Sequence, residues 1–143
     1  MPDDAFDLNR FVEAQDGLYA DALAELRSGR KQSHWMWFIF PQIAGLGSSA
    51  MARRYAIRSL AEAQAYLAHS LLGERLRTCT RAANAWEGRS ARALFGAPDD
   101  VKFRSSMTLF AQADPDDPDF ARALAIFFEG RPDPLTLERL EQR

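Results

Sequence analysis

Apolar residues recur at steps of three and four along most of the chain, which is the period of an amphipathic α-helix. The first such stretch runs from residue 8 to residue 28 and is interrupted at Asp16. We therefore expect two helices here, with Asp16 as a cap at the break. The second helix is expected to end at Gly29, because glycine readily takes the left-handed conformation that closes a helix.

Further start and stop signals divide the rest of the chain into more helices. Ser59 and Glu62 match a capping box, which predicts a helix from residue 60 to 68. Ser49 and Ser90 are each placed to cap a following helix. In the helix that begins at residue 99 or 100, Val101 is expected to face inward. The other predicted helices cover about residues 50–57, 71–86, 91–95, 120–128 and 134–140. No alternating pattern of useful strand length appears, so the sequence predicts an all-α, multihelical domain.

One segment, KQSHWMWFIFPQ at residues 31–42, is ambiguous. Its six consecutive large apolar residues, 35–40, fit a buried strand or a buried helix, because periodicity gives no information when every position is apolar. Ser33 is a good helix cap, Pro41 is a good stop, and no partner strand is predicted, so a short helix is favoured. Because this helix is apolar all round, we expect it at the centre of the molecule, with its polar flanks carried inward.

These polar flanks are the first candidate site. Lys31, Ser33 and His34 precede the aromatic row and Gln42 follows it. Unpaired buried polar groups cost about 1–3 kcal/mol each, so these residues need partners or a ligand. His34 suits a catalytic acid or base, or it caps the helix and bonds a carbonyl. Lys31 suits a phosphate or carboxylate, or it is a solvated lysine. Trp35 and Trp37 could stack on a ring, with Trp35 the chosen candidate, or they pack in the core, which is expected of at least one of them.

A second polar cluster lies in DDVKFRSSMTLF, residues 99–110. Lys102, Ser105 and Ser106 share one face of the predicted helix. Free amides near a helix start, a lysine and hydroxyls together make an anion pocket. The alternative is that the hydroxyls bond carbonyls one turn back. Gly47, in a glycine-serine loop, would let the backbone approach a ligand closely, or merely turn the chain.

Composition narrows the function classes. A chain of 143 residues that is 47% hydrophobic fits one domain over residues 1–143. The formal charge of -2 disfavours a nucleic-acid polymer as partner. The longest apolar run is far shorter than the ~20 residues that a bilayer requires, so we expect a soluble, cytoplasmic protein without a membrane partner. The single cysteine excludes an internal disulfide, and no metal site or cofactor is predicted.

Four segments together closely resemble the DUF1810 family of uncharacterised proteins: HWMWFIFPQIAGLGSSAMARRYAI, SLAEAQAYLAHSLLGERL, ALFGAPDDVKFRSSMTLF and FFEGRPDPLTLERL. The resemblance spans residues 11–140. It implies a mainly α-helical single domain and brings no established activity. The succession of polar residue, histidine, aromatic run and glutamine is also distantly similar to the YbiA-like NADAR proteins, a helical group linked to ADP-ribose and N-glycosidic chemistry.

Three functional hypotheses remain open. The first is a small-molecule pocket where the segment 31–47 meets the helix at 102–108. It would accept an anionic, ring-containing ligand such as a nucleotide or ADP-ribose derivative. If the protein is an enzyme, the reaction expected is hydrolysis of an N-glycosidic bond. The second is a non-catalytic helical adaptor that binds a protein partner through exposed aromatic residues. The third is an internal polar network that only specifies the fold. A concave polar cavity around His34 would favour the first.

Overall fold

The fold is built from helices alone. A computed structural model describes residues 4–141. Within that range the chain forms ten helices and one isolated parallel bridge, between Ile43 and Ile57. The helices are α1 (Asn9–Gln15), α2 (Tyr19–Ser28), α3 (Met36–Ile39), α4 (Ala50–Arg54), α5 (Leu60–Ala68), α6 (Leu72–Asn84), α7 (Ala91–Phe95), α8 (Asp99–Ala113), α9 (Pro118–Phe128) and α10 (Pro134–Glu141). The all-α prediction is confirmed. No helix in residues 4–141 is both long enough and apolar enough to cross a bilayer.

Local capping signals account for several helix ends. The hydroxyls of Ser49, Ser59 and Ser90 each accept a hydrogen bond from the amide three residues later, at 3.1, 3.1 and 3.0 Å. Gly29 closes α2 in the left-handed conformation, with φ of 82°. These predictions are confirmed. The predicted cap at Asp16 is wrong, because Asp16 is the C-cap of α1, and α2 begins three residues later, at Tyr19, without a side-chain cap.

The aromatic row forms a central helix, as predicted, but a very short one. Five of the six residues at 35–40 are at most 4% exposed, and Trp37 is half-buried. Only the four residues of α3 are helical, and this helix starts after Trp35 without a side-chain cap. The expectation that Ser33 caps it is wrong, because the Ser33 hydroxyl donates to the Glu25 carboxylate instead.

Helix α8 links this central row to the rest of the core. It packs against α5, α7, α9 and α10. The fully buried ring of Phe103 lies 5.0 Å from the ring of Phe40 and 4.4 Å from that of Phe95, so α8 joins α3 to α7 through aromatic contacts. Val101 is 60% exposed, so the prediction that it faces inward is wrong. Phe103 occupies the inward face of the first turns of α8 in its place.

A buried ion pair ties the first helix to the middle of the chain. The Arg10 guanidinium lies 2.7 Å from the Glu62 carboxylate, with side chains only 7% and 2% exposed. Arg10 also donates to backbone carbonyls, at Phe6, Asp7, Arg54 and Ala56. The second Glu62 oxygen accepts from the amide of Arg58, not from that of Ser59. The capping box is therefore only half formed, because Glu62 is recruited by Arg10.

Truncation of Arg10 should be among the most destabilising single changes. Arg10→Ala leaves a buried carboxylate without its cation, and we expect the free energy of unfolding to fall by about 3–5 kcal/mol. Urea unfolding followed by circular dichroism measures this loss. The control is Arg122→Ala, because Arg122 forms an exposed ion pair with Glu87, which contributes only about 0–1 kcal/mol. Equal losses in the two variants would contradict a structural role for the buried pair.

Candidate functional site

A cavity of about 380 Å³ lies between the segment before α3 and the start of α8. Four of the nine predicted site residues line it: Lys31, Ser33, His34 and Lys102. Trp37 and Asp99 line it as well. Residues that are far apart in sequence meet here because α3 and α8 pack through Phe40 and Phe103. The cavity is concave, and its lining near His34 combines the polar side chains above with apolar ones such as Met36 and Phe95.

Asp99 connects the two lysines of the cavity. Its carboxylate lies 2.9 Å from the Lys31 ammonium and 3.6 Å from the Lys102 ammonium. Lys31 is not solvated, because its side chain is only 7% exposed and its ammonium also donates to the Ser33 carbonyl at 2.5 Å. Lys31 is therefore already committed to protein partners. The three side chains carry one net positive charge.

Lys102, Trp37 and His34 form the accessible side of the cavity. The Lys102 ammonium lies 5.3 Å from the centroid of the Trp37 ring, a cation–π contact, and its side chain is 27% exposed. His34 is exposed, and its imidazole has no hydrogen-bond partner among residues 4–141. All three side chains are open to a ligand in the cavity.

Glu25, on α2, holds the segment that enters the cavity. Its carboxylate accepts hydrogen bonds from the Gln32 amide at 2.7 Å, the Ser33 amide at 2.9 Å and the Trp35 indole at 2.9 Å, and also from the Ser33 hydroxyl. Trp35 is 1% exposed, so the prediction that it stacks on a ligand is wrong. Trp37 presents its ring to the cavity instead. Sequence analysis missed Glu25 because it occupies an ordinary polar position of an amphipathic helix.

These hydrogen bonds control the ionisation of Glu25. Burial alone would raise the pKa of this carboxyl group. The bonds donated by Ser33, Gln32 and Trp35 outweigh burial and lower the pKa from 4.5 to about 2. Glu25 is therefore charged near neutral pH, and its charge strengthens the bonds that fix residues 32–35.

A second cavity, of about 410 Å³, lies on the other side of Lys102. Gln42, Gly47 and Ser105, three further predicted residues, line it together with Lys102. Lys102 and Pro98 border both cavities. The two ends of the aromatic row therefore face two neighbouring cavities, and not one shared cavity as expected.

The two serines of α8, Ser105 and Ser106, differ in their hydrogen bonds and in their access to the cavities. The Ser105 hydroxyl lies 3.2 Å from the Val101 carbonyl, one turn back, and 2.8 Å from the Asp133 carboxylate, to which it donates. Asp133 also accepts from the Thr136 hydroxyl at 2.6 Å. Ser106 is fully buried and lines neither cavity, so direct ligand contact by Ser106 is wrong. Its hydroxyl has no hydrogen-bond partner among the described residues.

The described residues contain neither a reactive thiol nor a group of side chains that could hold a metal ion. Burial raises the pKa of Cys79 to about 12, so this thiol stays protonated and unreactive. Across residues 4–141, no group of three histidine, cysteine, aspartate or glutamate side chains is placed to hold a metal ion. The two cavities beside Lys102 bring together seven of the nine predicted site residues.

Neutralising Glu25 should loosen the entry to the first cavity. We expect Glu25→Gln to lower the free energy of unfolding by about 1–2 kcal/mol near pH 7, less than the pKa change implies because the carboxylate is partly exposed. The folded-state pKa is lowered from 4.5 to about 2. The stabilisation is therefore complete above pH 4.5 and disappears as the pH falls towards 2.

Urea unfolding at several pH values, with Glu87→Gln as a surface control, measures this effect. The difference between wild type and Glu25→Gln should shrink as the pH falls from 4.5 towards 2. A difference that is constant over this range would show that the charge of Glu25 is not what stabilises residues 32–35.

Comparisons with known proteins agree with the fold. The crystal structure of a conserved hypothetical protein, Rv1873 from Mycobacterium tuberculosis, superimposes with a TM-score of 0.96 and 54% sequence identity, covering 98% of this chain and 100% of that one. No curated protein matches the chain. The similarity to NADAR proteins is not supported. A family model described as a protein of unknown function, DUF1810, matches residues 5–140. The chain therefore belongs to the DUF1810 family.

Proposed function

We propose that the protein binds a small anionic ligand that carries an aromatic ring, and that nucleotides are the class to test first. One observation carries this proposal: two lysines, an aspartate, a half-buried tryptophan and an exposed histidine surround a single cavity of about 380 Å³. This volume falls within the ~300–1,000 Å³ typical of small-molecule sites. The mixture of cationic and aromatic side chains matches a phosphate joined to a ring.

The anionic part of the ligand would bind beside Lys102. The Lys31 side chain is buried and bonded to Asp99 and Ser33. The Lys102 side chain is more exposed, and its ammonium lies farther from the Asp99 carboxylate, at 3.6 Å. The N-terminus of α8 borders the same cavity and contributes partial positive charge. Lys31 would then position Asp99, and Lys102 would contact the ligand.

The ring would lie against Trp37, with His34 next to it. Trp37 is half-buried, so it is held in place while one part of its ring faces the cavity. His34 can donate or accept a hydrogen bond, and it would act as the acid or base if the bound ligand is hydrolysed at an N-glycosidic bond.

The alternative of a protein adaptor receives less support. An adaptor of the expected kind would use the aromatic row at 35–40 as an exposed surface, but those residues are buried except for Trp37. Of the exposed large apolar residues, Val101 and Leu135 line the second cavity and do not form a flat patch with the row. A concave site is therefore the better supported reading.

Nucleotide binding should depend on Lys102 and His34. We expect AMP to bind the wild type in isothermal titration calorimetry and to raise the melting temperature. Lys102→Ala and His34→Ala should each weaken binding about tenfold or more. Arg122→Ala removes a remote positive charge and should bind AMP like the wild type. Chromatographic analysis of the same mixtures for free adenine tests N-glycosidic hydrolysis.

If both cavity variants bind AMP as tightly as the wild type does, the proposed site is wrong. If the wild type does not bind AMP, nucleotide recognition is wrong. Circular dichroism must confirm that each variant is folded. Both substitutions are at positions with exposed or partly exposed side chains, so large losses of stability are not expected.

Removing the charge of Asp99 should have the opposite effect on affinity. The Asp99 carboxylate competes with a ligand anion for the ammonium of Lys102. We therefore expect Asp99→Asn to bind AMP several-fold more tightly than the wild type in the same titration. A loss of affinity in this variant would mean that Asp99 contacts the ligand directly, or that it orients Lys102 in a way that binding requires.

A further inference from the structure

The second cavity suggests the overall shape of the ligand. We propose that the two cavities beside Lys102 form one two-part site, which binds two ring-bearing moieties joined by a phosphate linkage. A dinucleotide belongs to this chemical class. This inference rests on the proposed function, because the first moiety is the ring that lies against Trp37.

The position of Lys102 carries the first step. It is the cation that borders both cavities, with Pro98 as the other residue common to them. A phosphate bound by Lys102 would therefore lie at the junction of the two cavities and not at the closed end of either one. A group attached to each side of that phosphate would enter a different cavity.

The second cavity is lined by neutral polar and apolar side chains near its loop wall. The Gln42 amide and the Ser48 hydroxyl line it, and neither side chain has a hydrogen-bond partner among residues 4–141. Apolar side chains complete the lining, including Leu46, Val101 and Leu135. Neutral hydrogen-bonding groups beside apolar ones suit an uncharged ring or sugar, in contrast with the charged first cavity.

The Asp133 carboxylate does not alter this character. It lines the second cavity, but it is 8% exposed and already accepts hydrogen bonds from Ser105 and Thr136. Its remaining capacity for a ligand cation is small. The second moiety is therefore expected to be neutral.

The volumes agree with two moieties of similar size. The cavities measure about 380 and 410 Å³, and each is near the lower end of the ~300–1,000 Å³ range for small-molecule sites. One ring-bearing group fills each of them. A mononucleotide would leave the second cavity open, whereas a dinucleotide would occupy both.

The inference is tested by comparing the affinity of a mononucleotide with the affinities of ligands that carry two ring-bearing moieties. The probes are AMP as the half ligand, and adenylyl-3′,5′-adenosine and NADH as two-part ligands with one and two phosphates and uncharged rings. We expect at least one two-part ligand to bind the wild type about tenfold or more tightly than AMP in isothermal titration calorimetry.

A bulky residue in the second cavity should remove that advantage selectively. Val101→Trp fills the rim from an exposed position of α8, so we expect it to bind the two-part ligand no better than AMP while AMP affinity stays at the wild-type value. Leu18→Trp is the control, because it adds the same bulk at an exposed position that lines neither cavity, and it should bind AMP and the two-part ligand like the wild type. Ser48→Trp, in the loop that also lines this cavity, should reproduce the effect if Val101→Trp is poorly folded.

The outcomes separate the two proposals. If AMP binds and requires Lys102, but two-part ligands bind no more tightly or are insensitive to both tryptophan variants, the two-part site is wrong and the proposed function stands. If no probe binds the wild type, both are wrong. A two-part ligand that gains affinity, and loses the gain in Val101→Trp and Ser48→Trp, supports the inference.

Discussion

Burial of the aromatic row at residues 35–40 is the constraint on which the rest of the structure depends. Five of these side chains are withdrawn from water, so the segment must lie inside a shell of helices. The shell is closed by α8, which meets the row through Phe103. A helix of only four residues supplies few internal hydrogen bonds, so tertiary packing, and not helix propensity, keeps α3 in place.

The candidate site follows from this arrangement. Each end of the buried row returns to the surface beside the start of α8, and a cavity lies at each end, with Lys102 between them. Glu25 fixes one end through four hydrogen bonds to residues 32–35. The bridge between Ile43 and Ile57 fixes the other. The polar groups around Lys102 are therefore held by rigid parts of the fold, which favours a preformed site.

Local signals explain why much of the fold was predictable. The serine caps at positions 49, 59 and 90 act within one helical turn, so sequence spacing alone identifies them. The rule that a helix apolar on every face carries its polar neighbours inward held for Lys31, whose side chain is 7% exposed, but it was wrong for Ser33 and His34, which are exposed. The meeting of Lys31 and His34 with Lys102 in one cavity depends on the packing of α8 against α3, which no local signal encodes.

Tertiary partners explain what was missed. Serine is a residue type that commonly caps helices, but the Ser33 hydroxyl donates to the Glu25 carboxylate instead, because a charged group is the stronger acceptor. The position of Glu25 relative to Ser33 depends on how α2 packs. Trp35 is buried and Trp37 is half-buried, although both belong to one apolar run. The run contains no periodicity, so its pattern does not distinguish the two positions. The division of the site into two cavities depends in the same way on where α10 docks against α8.

The Arg10 pair has a consequence for how the molecule assembles. Its partners Arg54, Ala56 and Glu62 lie 44, 46 and 52 residues further along the chain. During synthesis, the guanidinium must therefore stay hydrated until α5 emerges from the ribosome. The Arg10–Glu62 pair is a long-range contact, and such non-local closure slows folding relative to a simple helical bundle.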